Sequence, residues 1–149
     1  YFGQTNQVIA TNHLSTPMIL HLHIIGISLV LLAGIHIIFP WYFEWKKELA
    51  LLSLINRQLM QVHTFFIAIV VLLIGLLCLS SAQELIATPL GRTLSLGLAI
   101  FWTLRLLIQF FGFSPDLWKG KTFETTIHIL LGLYWTYLSA VFWIIFFSG

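Results

Sequence analysis

Charge is scarce in this chain. Seven Lys and Arg and five Asp and Glu make up 8% of its 149 residues, against 59% that are hydrophobic. A soluble domain carries roughly a quarter charged residues, and no soluble core this small hides so much apolar surface, so lipid is the solvent expected for most of it. Cysteine is scarcer still. Cys78 is alone, which excludes an internal disulfide and a thiolate metal cluster. Asp116 is the only aspartate and falls between apolar runs, so a Ser–His–Asp arrangement has no candidate. There is no Gly-rich phosphate loop and no Gly-x-Ser-x-Gly elbow. No basic run suits nucleic acid, and no His-x-x-x-His or Glu-x-x-His pair marks a metal-binding helix. The opening residues, Tyr1 to Thr16, lack the charged-then-apolar order of a signal peptide, and what precedes Tyr1 stays open.

What the chain does have is length without charge. Four apolar runs, about 18–39, 60–81, 90–113 and 125–147, each approach the ~20 residues that a membrane-spanning helix needs. Ser15, Thr16 and Pro17 resemble a helix cap and first-turn proline, and Pro40 is expected to end or kink the first helix. Pro89 and Gly91 open the third run, and Gly112, Ser114 and Pro115 close it. The runs are continuous, whereas a membrane barrel alternates over ~10 residues. The fold class is therefore an all-α integral membrane protein: residues 1–149 as one domain, a four-transmembrane-helix up-down bundle. Small residues, among them Gly26, Ala33, Gly34, Gly75, Gly97 and Gly132, would let helices approach closely. The aromatics and lysines of residues 41–59 suit the headgroup region, as an interfacial helix or a helical extension.

Basic residues set the expected orientation. Lys46, Lys47 and Arg57 follow the first run and Lys119 and Lys121 the third, while Arg92 alone lies on the opposite side. Excess Lys and Arg mark cytoplasmic loops, which places both termini on the non-cytoplasmic side. A bacterial inner membrane or an organellar membrane is the expected location.

This topology brings ionisable groups to one level. His36 lies about a turn before Pro40, and His63 about a turn into the second run. Arg105 and Gln109 close the third, and His128 opens the fourth. Leu98, Trp102, Arg105 and Gln109 share one helical face, as do Glu124, His128, Trp135 and Ser139. Ionisable groups within a membrane usually face a partner, a cofactor or water. Three chemistries could use the set. Haem b could be held by His63 and His128, with His36 as the substitute, Trp102 and Trp135 packing near the macrocycle, and Arg105 pairing with a propionate. A non-haem metal ion could be ligated by His36, His63 and His128. A quinone or lipid headgroup could take hydrogen bonds from His and Arg without metal. At the opposite level His13, His21 and His23 stand near Gln83, Glu84 and Arg92 and are expected to be interfacial.

The outline of the first two runs, Leu22-His23-Ile-Ile-Gly26, Ala33-Gly34, Pro40 and Arg57-Gln58-Leu-Met60, resembles small four-helix membrane proteins of the HemJ and copper-resistance D types. That resemblance implies haem or metal binding through membrane histidines. The helix-three lysine of the HemJ type has no counterpart here, and no residue roles transfer.

The expected function is thus a membrane protein that binds a redox cofactor, haem b foremost, near the cytoplasmic face, in electron transport. Alternatives are a non-catalytic small subunit or scaffold of a larger membrane complex, and a membrane enzyme with a His-ligated metal or a quinone or lipid pocket. No catalytic residue is assigned. Lipid is the one partner expected outright, while a complex partner or a homo-oligomer stays open.

Overall fold

A computed structural model describes the backbone of residues 2–148 and the side chains of residues 16–148. Helix is the only regular structure among them. Helix α1 spans Phe2–Tyr42, α2 Trp45–Glu48, α3 Leu54–Ser80, α4 Ala82–Ala87, α5 Pro89–Phe111 and α6 Thr122–Ser148, with short 3-10 turns at Leu49–Leu51 and Pro115–Leu117. Four stretches, Thr16–Tyr42, α3, α5 and α6, are long and apolar enough to cross a membrane.

Several boundaries differ from the sequence expectation. Helix α1 runs through Pro17 instead of starting there, and continues two residues past Pro40. A proline inside a helix removes one N–H donor but does not oblige the chain to leave the helix. Helix α3 begins at Leu54, six residues earlier than its apolar run, because polar Asn56, Arg57 and Gln58 extend the same helix. That shortens the interfacial segment to α2 and the 3-10 turn. They follow Glu44, which holds a left-handed conformation (φ 46°, ψ 43°) where the chain leaves α1. The short helix α4 leads into Thr88, whose hydroxyl donates to the Glu84 carbonyl (2.8 Å) and accepts from the Gly91 N–H (2.9 Å). Pro89 then occupies the first position of α5, where no N–H is needed.

The chain divides into two compact units, residues 19–82 and residues 83–149 with 1–18. In the first, α1 and α3 cross where two glycines meet. A methyl group on Gly75 would lie 3.0 Å from the Gly26 carbonyl oxygen and 3.1 Å from the Val30 nitrogen. The backbones touch because neither residue has a side chain. Leu22, Ile25, Leu29 and Ala33 on α1 and Val71, Gly75 and Cys78 on α3 are buried at three- and four-residue spacing.

In the second unit α5 and α6 form an antiparallel hairpin. Its buried positions are Gly91, Ser95, Ala99, Trp102 and Gln109 on α5, and Gly132, Trp135, Leu138, Ser139, Val141, Phe142 and Ile145 on α6. Outward positions such as Leu104, Leu107, Leu130 and Leu133 are exposed and apolar, a surface suited to lipid rather than water.

Candidate functional site

The hairpin of α5 and α6 carries a connected line of polar and aromatic side chains. The Arg105 guanidinium lies 4.9 Å from the Trp135 ring centroid. Trp135 in turn stacks on Trp102, with centroids 5.2 Å apart and planes 8° from parallel. One turn toward the end of α5, Arg105 Nη1 donates to Gln109 Oε1 (3.2 Å), and Gln109 Nε2 lies 2.7 Å from His128 Nδ1. Trp118, from the loop between the helices, stacks on the His128 imidazole at 3.9 Å and 15°, and Phe110 meets that ring edge-on at 6.1 Å.

The direction of these hydrogen bonds follows from chemistry. A guanidinium can only donate, so Gln109 must present its oxygen to Arg105 and its amide N–H to His128. His128 Nδ1 must then accept, which makes the ring neutral with its proton on Nε2. To offer Nε2 to an iron, His128 would have to break or reverse the Gln109 contact.

A second network lies along the same interface. Thr103 Oγ1 donates to the Ala99 carbonyl (2.7 Å), sits 2.6 Å from Ser139 Oγ and accepts from Trp143 Nε1 (3.1 Å). One donation and two acceptances exhaust that hydroxyl.

Donors exceed acceptors here. The Nε1 atoms of Trp102 and Trp135 are buried and without an acceptor, although the two residues are only 1% and 5% exposed. Arg105 is half-buried and spends one of its five N–H groups on protein. Among the described residues it has no carboxylate partner; the ion pair there is Lys47 with Glu44, exposed and 3.7 Å long. All five acidic residues, Glu44, Glu48, Glu84, Asp116 and Glu124, are exposed.

The sequence-derived candidates distribute as follows. Trp102, Arg105, Trp135 and His128 come together in the hairpin unit, joined by Gln109. Glu124 does not join them, since it is exposed in the first turn of α6 and the inward stripe starts one turn later at His128. His36 and His63 belong to the other unit. His36 faces α3 and lines a cleft of about 340 Å³ with Pro40, Trp45, Gln61, Thr64 and Phe65. His63 is exposed and falls roughly 90° around α3 from the Val71, Gly75 and Cys78 face that meets α1, by helical phase. The α1–α3 interface therefore does not bring these two histidines together. Each sets its Nδ1 on the carbonyl four residues back, His36 on Leu32 (2.8 Å) and His63 on Leu59 (3.0 Å). A carbonyl only accepts, so the neutral rings carry the proton on Nδ1 and leave an Nε2 lone pair.

Among the described residues no group of three His, Cys, Asp or Glu side chains is placed to hold a metal ion. His21 and His23 are half-buried, and His13 lies outside the described side chains. Sequence reasoning missed Trp118, Thr103 and Trp143. The available signals were an isolated tryptophan ten residues before His128, and the Ser139–Trp143 spacing of one turn opposite Thr103 on α5. No protein-family model, curated protein or solved structure matches this chain.

Proposed function

We propose that this membrane protein holds an oxygen-rich amphiphile, a quinone or lipid headgroup, against Arg105 in the α5–α6 hairpin. One observation carries the reading: a half-buried guanidinium with four N–H groups unspent and no carboxylate partner, resting on the Trp102–Trp135 stack. A buried charge is costly unless paired and hydrogen-bonded, and an acceptor-rich ligand would supply what the protein side chains do not. In this reading the lysine-bearing loops face the cytoplasm, the four spans form an up-down bundle and the termini lie outside, on the count of five basic residues against one.

A second reading, haem b, is favoured by the neutral tautomer of His36 and His63, which leaves Nε2 free to ligate iron. Arg105 would then pair with a propionate, and the protein would serve electron transport. A scaffold within a larger complex is the reading in which neither ligand binds.

Purification in mild detergent separates the three. Mass spectrometry of the extracted small molecules should find a quinone or lipid retained by the wild-type chain and lost from Arg105→Gln. A Soret band lost in His36→Leu would establish haem instead. Retention of the same molecules by both chains, with no pigment, would leave the scaffold.

A further inference from the structure

We propose that the ligand at Arg105 is an amphiphile with a single negative charge, its head a phosphodiester or a carboxylate and its tail apolar. This rests on the amphiphile reading above and adds the charge.

The count starts from residues 1–149 of the chain. It has five carboxylate side chains, all exposed, and none pairs with Arg105. The residues whose side chains are undescribed, 1–15 and 149, contain no Asp or Glu. Gln109 is an amide, and His128 is neutral because its Nδ1 must accept from that amide. The site therefore carries one uncompensated positive charge. A neutral ligand would leave it uncompensated, and a dianion would replace it with an excess negative charge. A monoanion cancels it.

Shape and depth narrow the class further. The guanidinium fork matches two oxygens of one planar or tetrahedral anion. Arg105 lies six residues before the end of α5, about 9 Å along the helix at 1.5 Å per residue. The exposed loop at that end contains Lys119 and Lys121, and lysines near a membrane surface attract anionic lipid. These lysines would gather anions at the rim, and Arg105 would hold one slightly below it. The exposed apolar flanks of α5 and α6 accept the tail. The phosphodiester of a phospholipid and the carboxylate of a fatty acid share this chemistry.

The test uses the full chain in phosphatidylcholine nanodiscs. Tryptophan emission is followed as brominated-chain lipids are added: phosphatidylglycerol, dibromostearate, phosphatidic acid or brominated phosphatidylcholine. Trp102 and Trp135, beside Arg105, make quenching sensitive to occupancy. Half-maximal quenching by at least one monoanion should come at about tenfold lower mole fraction than by phosphatidylcholine, the scale of one charge-assisted pair. Which monoanion leads identifies the head group. The preference should vanish in Arg105→Gln and persist in Arg105→Lys. It should also vanish in Gln109→Glu, which supplies an internal carboxylate that keeps the Arg105 hydrogen bond and accepts another from a neutral His128 turned to its Nδ1–H tautomer. If Arg105→Gln fails to fold, judged by loss of helical circular dichroism, Gln109→Glu carries the comparison. Equal quenching by phosphatidylcholine, a stronger preference for dianionic phosphatidic acid, or a preference untouched by either variant would overturn the inference. Arg105-dependent retention of a neutral quinone, with no preference among these lipids, would sink the charge assignment and leave the amphiphile reading standing.

Discussion

Thr103 shows how one hydroxyl can order a helix interface in lipid. It donates to its own helix at Ala99 and receives Trp143 and Ser139 from the facing one. Thr103→Val keeps the shape but removes both acceptances, leaving two donors on α6 unmet. Hydrogen bonds between membrane helices average about 0.6 kcal/mol and reach about 1.7, so the expected loss is one to two such bonds, roughly 1–2 kcal/mol in an SDS unfolding titration. Adding Ser139→Ala should recover part of it, because an absent donor costs less than an unsatisfied one. If the single and double variants lose the same stability, the three residues do not act as a unit. At this scale the sequence was partly legible. Trp102, Arg105 and Gln109 share a face by simple phase, and so do His128 and Trp135. The bond polarity was not legible, because it depends on Gln109 standing between a group that only donates and a ring that can do either. Trp118 was hidden for a different reason: loop residues have no period from which a direction can be read.

Between elements, glycine acts by position rather than by number. Six small residues looked equally able to admit a neighbouring helix. Only some do. A Cβ on Gly75 would press on the backbone of α1, and one on Gly26 would meet the Leu79 side chain at 2.6 Å, whereas Gly34 and Gly97 have nothing within 4 Å. Gly75→Val should therefore force α1 and α3 apart and destabilise the protein by about 1–3 kcal/mol, the usual range for overpacking. Gly97→Ala should be neutral or stabilising, since alanine favours helix by up to about 1 kcal/mol over glycine. Thermal unfolding in one detergent compares the two directly, and equal effects would contradict the crossing described. Continuous apolar runs made the helices themselves easy to read. Their ends were harder, because Asn56, Arg57 and Gln58 are polar yet helical, and Pro17 and Pro40 lie inside a helix that composition alone would have ended at both.

For the whole molecule, the side on which Arg105 lies governs access to it. Cysteine mapping tests the proposed orientation, with the buried Cys78 first replaced by Ala. In intact bacterial cells a membrane-impermeant maleimide should label Leu90→Cys but spare Lys47→Cys and Lys119→Cys, which should react only after permeabilisation. The opposite pattern would invert the orientation. Four spans were foreseeable because lipid demands apolar length of any helix that crosses it. Placement of the histidines was not, since a helix that is apolar on every side gives no phase from which His36 or His63 could be aimed. Arg105 is set about 9 Å in from the end of α5; with that end at the bilayer edge, the depth is roughly 0.3 of a hydrocarbon thickness near 30 Å. An anion reaching it from the cytoplasm crosses that fraction of the transmembrane potential. In an energised membrane, negative inside, the step gains about 0.7 kcal/mol per 100 mV, so occupancy of the site would follow the voltage. The cysteine map that assigns the side also assigns the sign of that dependence.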